Sequence, residues 1–187
     1  MVWVGERDAM AKRILAALIL MLTASAAAAA GELYIYDDDP QYWWYWSGTP
    51  NYEVLVPSNR SYYLDQEWSG HTYVMIPLRD GGPHLFIGTV PGTDTARLWQ
   101  ALSAPWALPL RSSRVTEDTQ ITTSQGLRAR FWVMTGTMQD GSSAMIRMVA
   151  FTRDGRTAYL MFVGKESDYT GNIRQYWLRA VNSFRWR

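Results

Sequence analysis

Three largely apolar runs follow one another between Arg128 and Gly164, and this is the clearest pattern in the chain. Two pairs, Asp140-Gly141 and Asp154-Gly155, separate the runs. Asp-Gly is typical of a two-residue hairpin turn, because both residues tolerate the positive φ that such a turn requires. The stretch therefore predicts three antiparallel strands joined by two tight turns, a meander at the centre of the fold.

Two-residue turns also predict which residues face each other across the meander. The first turn places Val133 opposite Met148, and the second places Met148 opposite Met161. Since neighbouring side chains point to opposite faces of a sheet, this register gives two largely apolar faces and puts Arg130 and Arg147 together on one of them. Apolar residues on both faces predict that other elements cover both sides of the sheet.

The two arginines on this apolar face, Arg130 and Arg147, are candidate ligand-binding residues. An arginine in such a place either extends its guanidinium to the rim of the face or meets a buried anion. If the protein has a ligand pocket here, we expect a carboxylate or a phosphate beside Arg147.

Shorter alternating runs predict further strands, at 52–56, 72–78, 84–90 and 119–123. A short helix is predicted from Ala96 to Leu102, after the capping pair Thr93-Asp94, and residues 106–118 are predicted to be a connection. Apolar residues spaced three and four apart predict an amphipathic helix over 172–184, which would cover one face of the meander. Together these elements predict an α+β fold, an antiparallel sheet with a central three-stranded meander covered by helices.

The first thirty residues have the pattern of a secretory signal peptide. Two basic residues precede an apolar run from Ile14 to Leu22, and small residues in an A-x-A pattern follow. We expect cleavage between Ala30 and Gly31. The run is short for a membrane-spanning helix, which needs about twenty apolar residues, and an uncleaved anchor is the alternative. Met10 is a more usual start for such a signal than Met1.

Cysteine is absent from the chain, which excludes disulfides, thiol nucleophiles and a lipid-anchoring cysteine. The net charge is +1, and the first thirty residues contain three basic and two acidic residues, so the remainder is neutral. A neutral domain gives no indication of nucleic-acid binding. We therefore expect a periplasmic or secreted protein with no cofactor and no stable membrane span after signal removal.

Residues 31–50 form an aromatic-rich N-terminal arm, which we separate from a domain predicted at 51–187. The arm contains Trp43, Trp44 and Trp46, and its acidic run lacks the spaced oxygen ligands of a calcium loop. Its aromatic rings either pack onto the domain or present a surface to a sugar or a protein partner. The three tryptophans are therefore candidate ligand-binding residues.

Two short motifs resemble the family that includes the photosystem II subunit PsbP and the bacterial envelope protein DcrB. Residues Tyr52 to Pro57 are similar to that family's first strand, which ends in proline, and Ser183-Phe184 is similar to the close of its last helix. The family has a Trp soon after the proline, whereas here Trp68 comes later, and the arm has no counterpart. The resemblance covers 51–187 and implies an accessory or protein-binding role without enzymatic activity.

Three hypotheses for the function follow. The first is an exported, non-enzymatic accessory or protein-binding domain of the bacterial cell envelope. The second is a glycan or small-ligand binder that uses the aromatic arm. The third is a metal-dependent or serine hydrolase around His71 and His84, the two histidines of the chain, with Glu67 or Asp80 near them. No G-x-S-x-G motif supports the third hypothesis.

Overall fold

Two antiparallel sheets build the protein, which we describe from a computed structural model at residues 31–48, 50–68, 71–102, 110–138 and 140–187. The predicted signal peptide lies outside the described residues. The small sheet has the strand order β1-β2-β3-β11. Its strands are β1 (Glu32–Ile35), β2 (Tyr42–Ser47), β3 (Tyr52–Pro57) and β11 (Arg185–Trp186).

The large sheet has seven strands in the order β4-β5-β6-β10-β9-β8-β7. Its strands are β4 (Tyr63–Trp68), β5 (His71–Pro77), β6 (His84–Pro91), β7 (Leu110–Thr122), β8 (Arg128–Met138), β9 (Ser143–Arg153) and β10 (Arg156–Lys165). Two α-helices are described, α1 (Thr95–Leu102) and α2 (Gly171–Ser183), together with a single 3₁₀ turn, Glu166–Asp168. Neither helix is long and apolar enough to cross a membrane, within the part of the chain that the structure describes.

The predicted fold class, a sheet covered by helices, is wrong. Strands dominate the described residues, and a second sheet forms where the sequence predicted an arm. Helix α2 packs mainly against β3 of the small sheet and only slightly against β10 of the meander. The reason lies in residues 31–48, whose aromatic strands β1 and β2 pair with β3 and supply apolar cover that we had assigned to helices.

Strand β7 occupies most of the segment that was predicted to be a connection. It runs from Leu110 to Thr122 along the edge of the large sheet, and nearly all its side chains are exposed. An edge strand with no buried face shows no alternation of apolar and polar residues. Hydrophobic periodicity therefore could not reveal it.

The first hairpin of the meander has a longer loop than predicted. Thr137 lies opposite Ser143, and the Met138 N–H donates to the Ser142 carbonyl at 2.8 Å, so three residues, 139–141, separate the paired residues where two were predicted. The Asp140 carboxylate accepts hydrogen bonds from the backbone N–H of Ser142 at 2.9 Å and from its hydroxyl at 2.6 Å. This local turn around an aspartate side chain stabilises the wider loop over the two-residue form.

The longer loop shifts the register of β8 by one residue, and the predicted pairing of Val133 with Met148 is wrong. Val133 lies opposite Arg147, and Trp132 lies opposite Met148. Because a one-residue shift turns every side chain to the other face, Arg130 and Arg147 lie on opposite faces of the sheet. The second turn, Asp154-Gly155, does have two residues, with φ of 49° and 73°, and the predicted pairing of Met148 with Met161 is found.

The two faces of the large sheet belong to different hydrophobic clusters. On the outer face, the Trp99 ring of α1 stacks on Trp132 at 5.6 Å. On the inner face, one cluster joins residues of both sheets and of α2. At its centre the fully buried Phe184 stacks on Phe151 of β9 at 3.9 Å and on Tyr52 of β3 at 5.3 Å. This aromatic stack ties the small sheet to the large one.

We expect Phe184→Ala to lower the free energy of unfolding by about 3–5 kcal/mol, because it removes a buried ring and leaves a cavity. Both sheets should still unfold in one transition, since they share the cluster around this ring. Urea unfolding followed by circular dichroism measures both quantities. The matched control is Ile35→Ala, at a side chain that is 70% exposed, which should change the stability by less than about 0.5 kcal/mol. Equal effects of the two substitutions would contradict the shared core.

Candidate functional site

A polar cleft of about 270 Å³ opens where the small sheet meets the end of α2 and the turn between β7 and β8. Aromatic, guanidinium, amide and hydroxyl groups line it. The lining residues are Tyr36, Trp44, Leu55, Ser124, Gln125, Arg179, Asn182, Ser183 and Arg185. No carboxylate is among these lining residues.

One wall of this cleft is organised by the carboxylate of Glu53, which has no exposed surface. The Tyr34 hydroxyl donates to Glu53 Oε2 at 2.5 Å. Arg185 donates through Nε to Oε1, and Arg187 forms an ion pair with Oε2. Glu32, Trp46, Glu53 and Arg185 lie side by side across the four strands of the small sheet. Strand pairing thus brings residues from both ends of the described chain to one buried charge.

The guanidinium of Arg185 is held in place from a second side as well. Its Cζ lies 4.4 Å from the centre of the Trp44 ring system, in a cation–π arrangement. Tyr36 meets the same indole edge-on, with ring centres 5.6 Å apart. Trp44 therefore carries an arginine over one face and forms part of the cleft wall.

Arg179 of α2 also lines the cleft. Its Cζ lies 5.4 Å from the centre of the Tyr42 ring, and it forms no ion pair with any residue that the structure describes. Burial raises the pKa of the Tyr42 hydroxyl, and the positive charge of Arg179 opposes that shift. The cleft is thus lined by guanidinium groups from two elements, α2 and β11.

The two serine hydroxyls of the cleft are bound to backbone groups. Ser183 Oγ accepts a hydrogen bond from the Leu55 N–H at 2.8 Å and donates to the Ala180 carbonyl at 3.2 Å. Ser124 Oγ donates to the Asn182 carbonyl at 3.2 Å. A nucleophilic serine needs a base within hydrogen-bonding distance, and these bonds hold the hydroxyls elsewhere. The arrangement suits recognition of a polar ligand.

The structure separates the residues that the sequence predicted to bind ligands. Only Trp44 lines the cleft; Trp43 stacks with Tyr62 at 6.1 Å, and the Trp46 indole donates to Asn51 at 2.7 Å. Trp43 and Trp46 thus contact residues that follow them in the chain, and the aromatic stretch is part of the fold.

The two meander arginines also lie in different surroundings. Arg130 forms an ion pair with Asp118 at 2.6 Å and lies over Trp132. Arg147 has its Cζ 5.0 Å from the Phe131 ring centre and 4.6 Å from that of Tyr169, and its buried Nε has no hydrogen-bond partner in the described chain. Neither arginine lines the cleft.

His84 is the histidine whose side chain the structure describes, and the side chain of His71 lies outside the described atoms. His84 lies at the start of β6, between two surface clefts of about 250 and 350 Å³. Burial lowers the pKa of its imidazole. No group of three or more histidine, aspartate or glutamate side chains suited to a metal ion occurs among the described residues.

The antiparallel sheets, the C-terminal helix and the strand ending in Pro57 define a class of fold, and comparison with known proteins identifies it. A solution structure of PsbP from the cyanobacterium Synechocystis sp. PCC 6803 superposes with a TM-score of 0.56 at 12% identity, over 87% of this chain and 95% of that one. The chain therefore has the PsbP-like fold, as the resemblance predicted.

Two other solved structures are similar over most of their length. LpqN of Mycobacterium tuberculosis, involved in cell envelope biogenesis, gives a TM-score of 0.46 at 16% identity, covering 83% of this chain and 90% of that one. PA94 of Pseudomonas aeruginosa, a protein of unknown function, gives 0.38 at 11% identity, covering 74% and 85%. No family model and no curated protein matches the sequence.

Sequence reasoning missed the principal residues of the cleft, Glu53, Arg179 and Arg185. Glu53 stands in an otherwise apolar strand, and a lone charge in a buried strand signals a partner elsewhere in the chain. Its two arginine partners are 132 and more residues away along the chain, so no local pattern could identify them. Arg179 lies off the apolar stripe of α2 and looks like an ordinary exposed position.

We expect Glu53→Gln to lower the free energy of unfolding by about 2–3 kcal/mol. The substitution removes the charge that pairs with Arg185 and Arg187. Their side chains are 47% and 49% exposed, so water can solvate the two guanidinium groups and offset part of the lost stability. Chemical unfolding at neutral pH measures it. Glu32→Gln is the matched control, at an exposed glutamate in the same cross-strand row. A loss no larger than the control's would refute the structural role of the Glu53 carboxylate.

The lowered pKa of His84 predicts a specific dependence of stability on pH. Because the pKa of His84 is lower in the folded chain, the unfolded chain binds the imidazole proton more tightly. The contribution of His84 to the free energy of unfolding is therefore complete above its ordinary pKa of 6.5, and it is lost as the pH falls through the folded-state pKa. We expect His84→Gln to reduce the slope of unfolding free energy against pH below 6.5. Urea titrations of both proteins between about pH 5 and 8 test this, and identical slopes would contradict it.

Proposed function

We propose that the protein is an exported, non-enzymatic accessory domain of the bacterial cell envelope that acts by binding a partner through the cleft between the small sheet and α2. The observation that carries this proposal is the chemistry of the cleft. It offers guanidinium, amide and aromatic groups for recognition, while its serine hydroxyls are bound to backbone. The PsbP-like fold supports the proposal only as background, since one fold can serve many functions.

Export is supported by the first thirty residues. Their basic, apolar and small-residue segments follow the order of a secretory signal. The compact unit of the structure begins at Gly31, directly after the proposed cleavage position. We propose that the mature domain starts there and acts in the periplasm or outside the cell.

The aromatic strand β2 contributes to binding through Trp44. The contacts favour polar recognition over stacking of a sugar, because Tyr62 stacks with Trp43 and the Arg185 guanidinium lies over Trp44. Trp44 then shapes the cleft and orients an arginine. A protein segment with polar or charged side chains fits such a wall.

The proposal predicts that a photo-crosslinking amino acid at Gln125, on the exposed rim of the cleft, captures a discrete envelope component in the source cell. The control position is Gln100, an exposed residue of α1 outside the cleft. Adding Arg179→Glu to the Gln125 probe should abolish the product, because it reverses the charge of one cleft wall without breaking an ion pair. Cell fractionation and N-terminal sequencing of the product complete the test.

Two results would refute the proposal. One is retention of the chain in the cytoplasm with an intact N terminus. The other is an identical set of crosslinks from both probe positions, unaffected by the charge reversal, which would show that the cleft does not select a partner.

A further inference from the structure

On the basis of the proposed function, we infer that the cleft recognises an oxyanion, a carboxylate or phosphate group of the partner, held between Arg179 and Arg185. The charge balance is the first reason. Arg185 and Arg187 share one carboxylate, that of Glu53, and Arg179 has no ion pair among the described residues, so these three guanidinium groups exceed their acidic partner by two positive charges. No acidic residue lines the cleft to compensate them.

The fixed position of Arg185 is the second reason. Its Nε bonds to a carboxylate with no exposed surface, and Trp44 supports its planar group. An arginine has five N–H donors, so one bond through Nε does not exhaust them. The side chain remains 47% exposed. A guanidinium that is already held in one orientation loses little entropy when it binds a planar or tetrahedral oxyanion.

Arg179 supplies the second guanidinium of the site. Its guanidinium is exposed, lies near the Tyr42 ring and has no acidic partner among the described side chains. Asn182, one turn later on α2, adds an amide to the same cleft. These groups are hydrogen-bond donors, which an oxyanion accepts.

Two negative influences oppose an anion here, and neither outweighs the arginines. The C-terminal end of α2 carries roughly half a negative charge, and the Ser124 hydroxyl already bonds to the Asn182 carbonyl in that last turn. Asp39 acts on the Tyr42 hydroxyl, on which Arg179 acts with the opposite sign. Arg179 and Arg185 are the charged side chains among the lining residues, so the wall of the cleft stays positive.

A purely structural role predicts a different result. In that case Arg179 and Arg185 stabilise the end of α2 and the Glu53 network, and no anion binds selectively. Arg179→Gln separates the two possibilities, because it removes a cleft guanidinium and leaves the ion pairs of Glu53 intact. Arg174→Gln is the matched control, at an exposed arginine on the same helix that does not line the cleft.

The test is a titration of the purified full chain with inorganic phosphate and, separately, with acetate, at constant ionic strength set with chloride. Arginine Nε–Hε signals in ¹⁵N NMR spectra report binding at each guanidinium. We expect saturable shifts of the Arg179 and Arg185 signals with at least one probe. Arg179→Gln should weaken that binding about tenfold or more, and Arg174→Gln should change it less than about twofold.

The two probes distinguish a phosphate from a carboxylate as the recognised group. Absence of saturation with both probes, or equal affinities of wild type and Arg179→Gln, overturns the inference. These outcomes are independent of the crosslinking test. Gln125 crosslinks that persist without anion binding would refute the oxyanion alone, whereas anion binding without an envelope partner would refute the proposed function alone.

Discussion

The fold depends on one aromatic stack that joins its two sheets. Phe184, fully buried at the end of α2, lies against Phe151 of the large sheet on one side and Tyr52 of the small sheet on the other. Trp186 meets the rings of Phe184 and Tyr52 edge-on. Aromatic rings bury large areas and prefer such stacked or edge-on contacts. The stack lies within the apolar cluster that joins the small sheet, the large sheet and α2.

The position of the cleft follows from the stack. Once Phe184 is buried, the next residue must leave the core, and the short strand β11 then pairs with β3. This pairing places Arg185 beside Glu53 and over Trp44. Arg185 therefore directly follows the buried Phe184 in the chain, and the close packing of Phe184 restricts where the Arg185 guanidinium can lie.

Local patterns predicted the meander, the strand ending at Pro57 and the last helix, because each depends on periodicity and turn chemistry within a few residues. The predictions failed where side-chain hydrogen bonds decide between two turn types. Asp140 is the example, because its bonds to Ser142 stabilise a longer loop than the predicted one. The predictions also failed for the exposed edge strand and for the second sheet. Of the cleft, only Trp44 was predicted, because the contacts of Glu53 and the two arginines join distant parts of the chain.

The distance along the chain between Glu53 and Arg185 has a consequence for biogenesis. Glu53 on one wall of the cleft is synthesised 132 residues before Arg185 on the same network. Pairing across so long a loop is a late and slow step in folding. A chain that has been synthesised past Glu53 but not yet to Arg185 has only part of the cleft. Under the proposed function, such a chain cannot hold a partner, so binding would report that this part of the fold is complete.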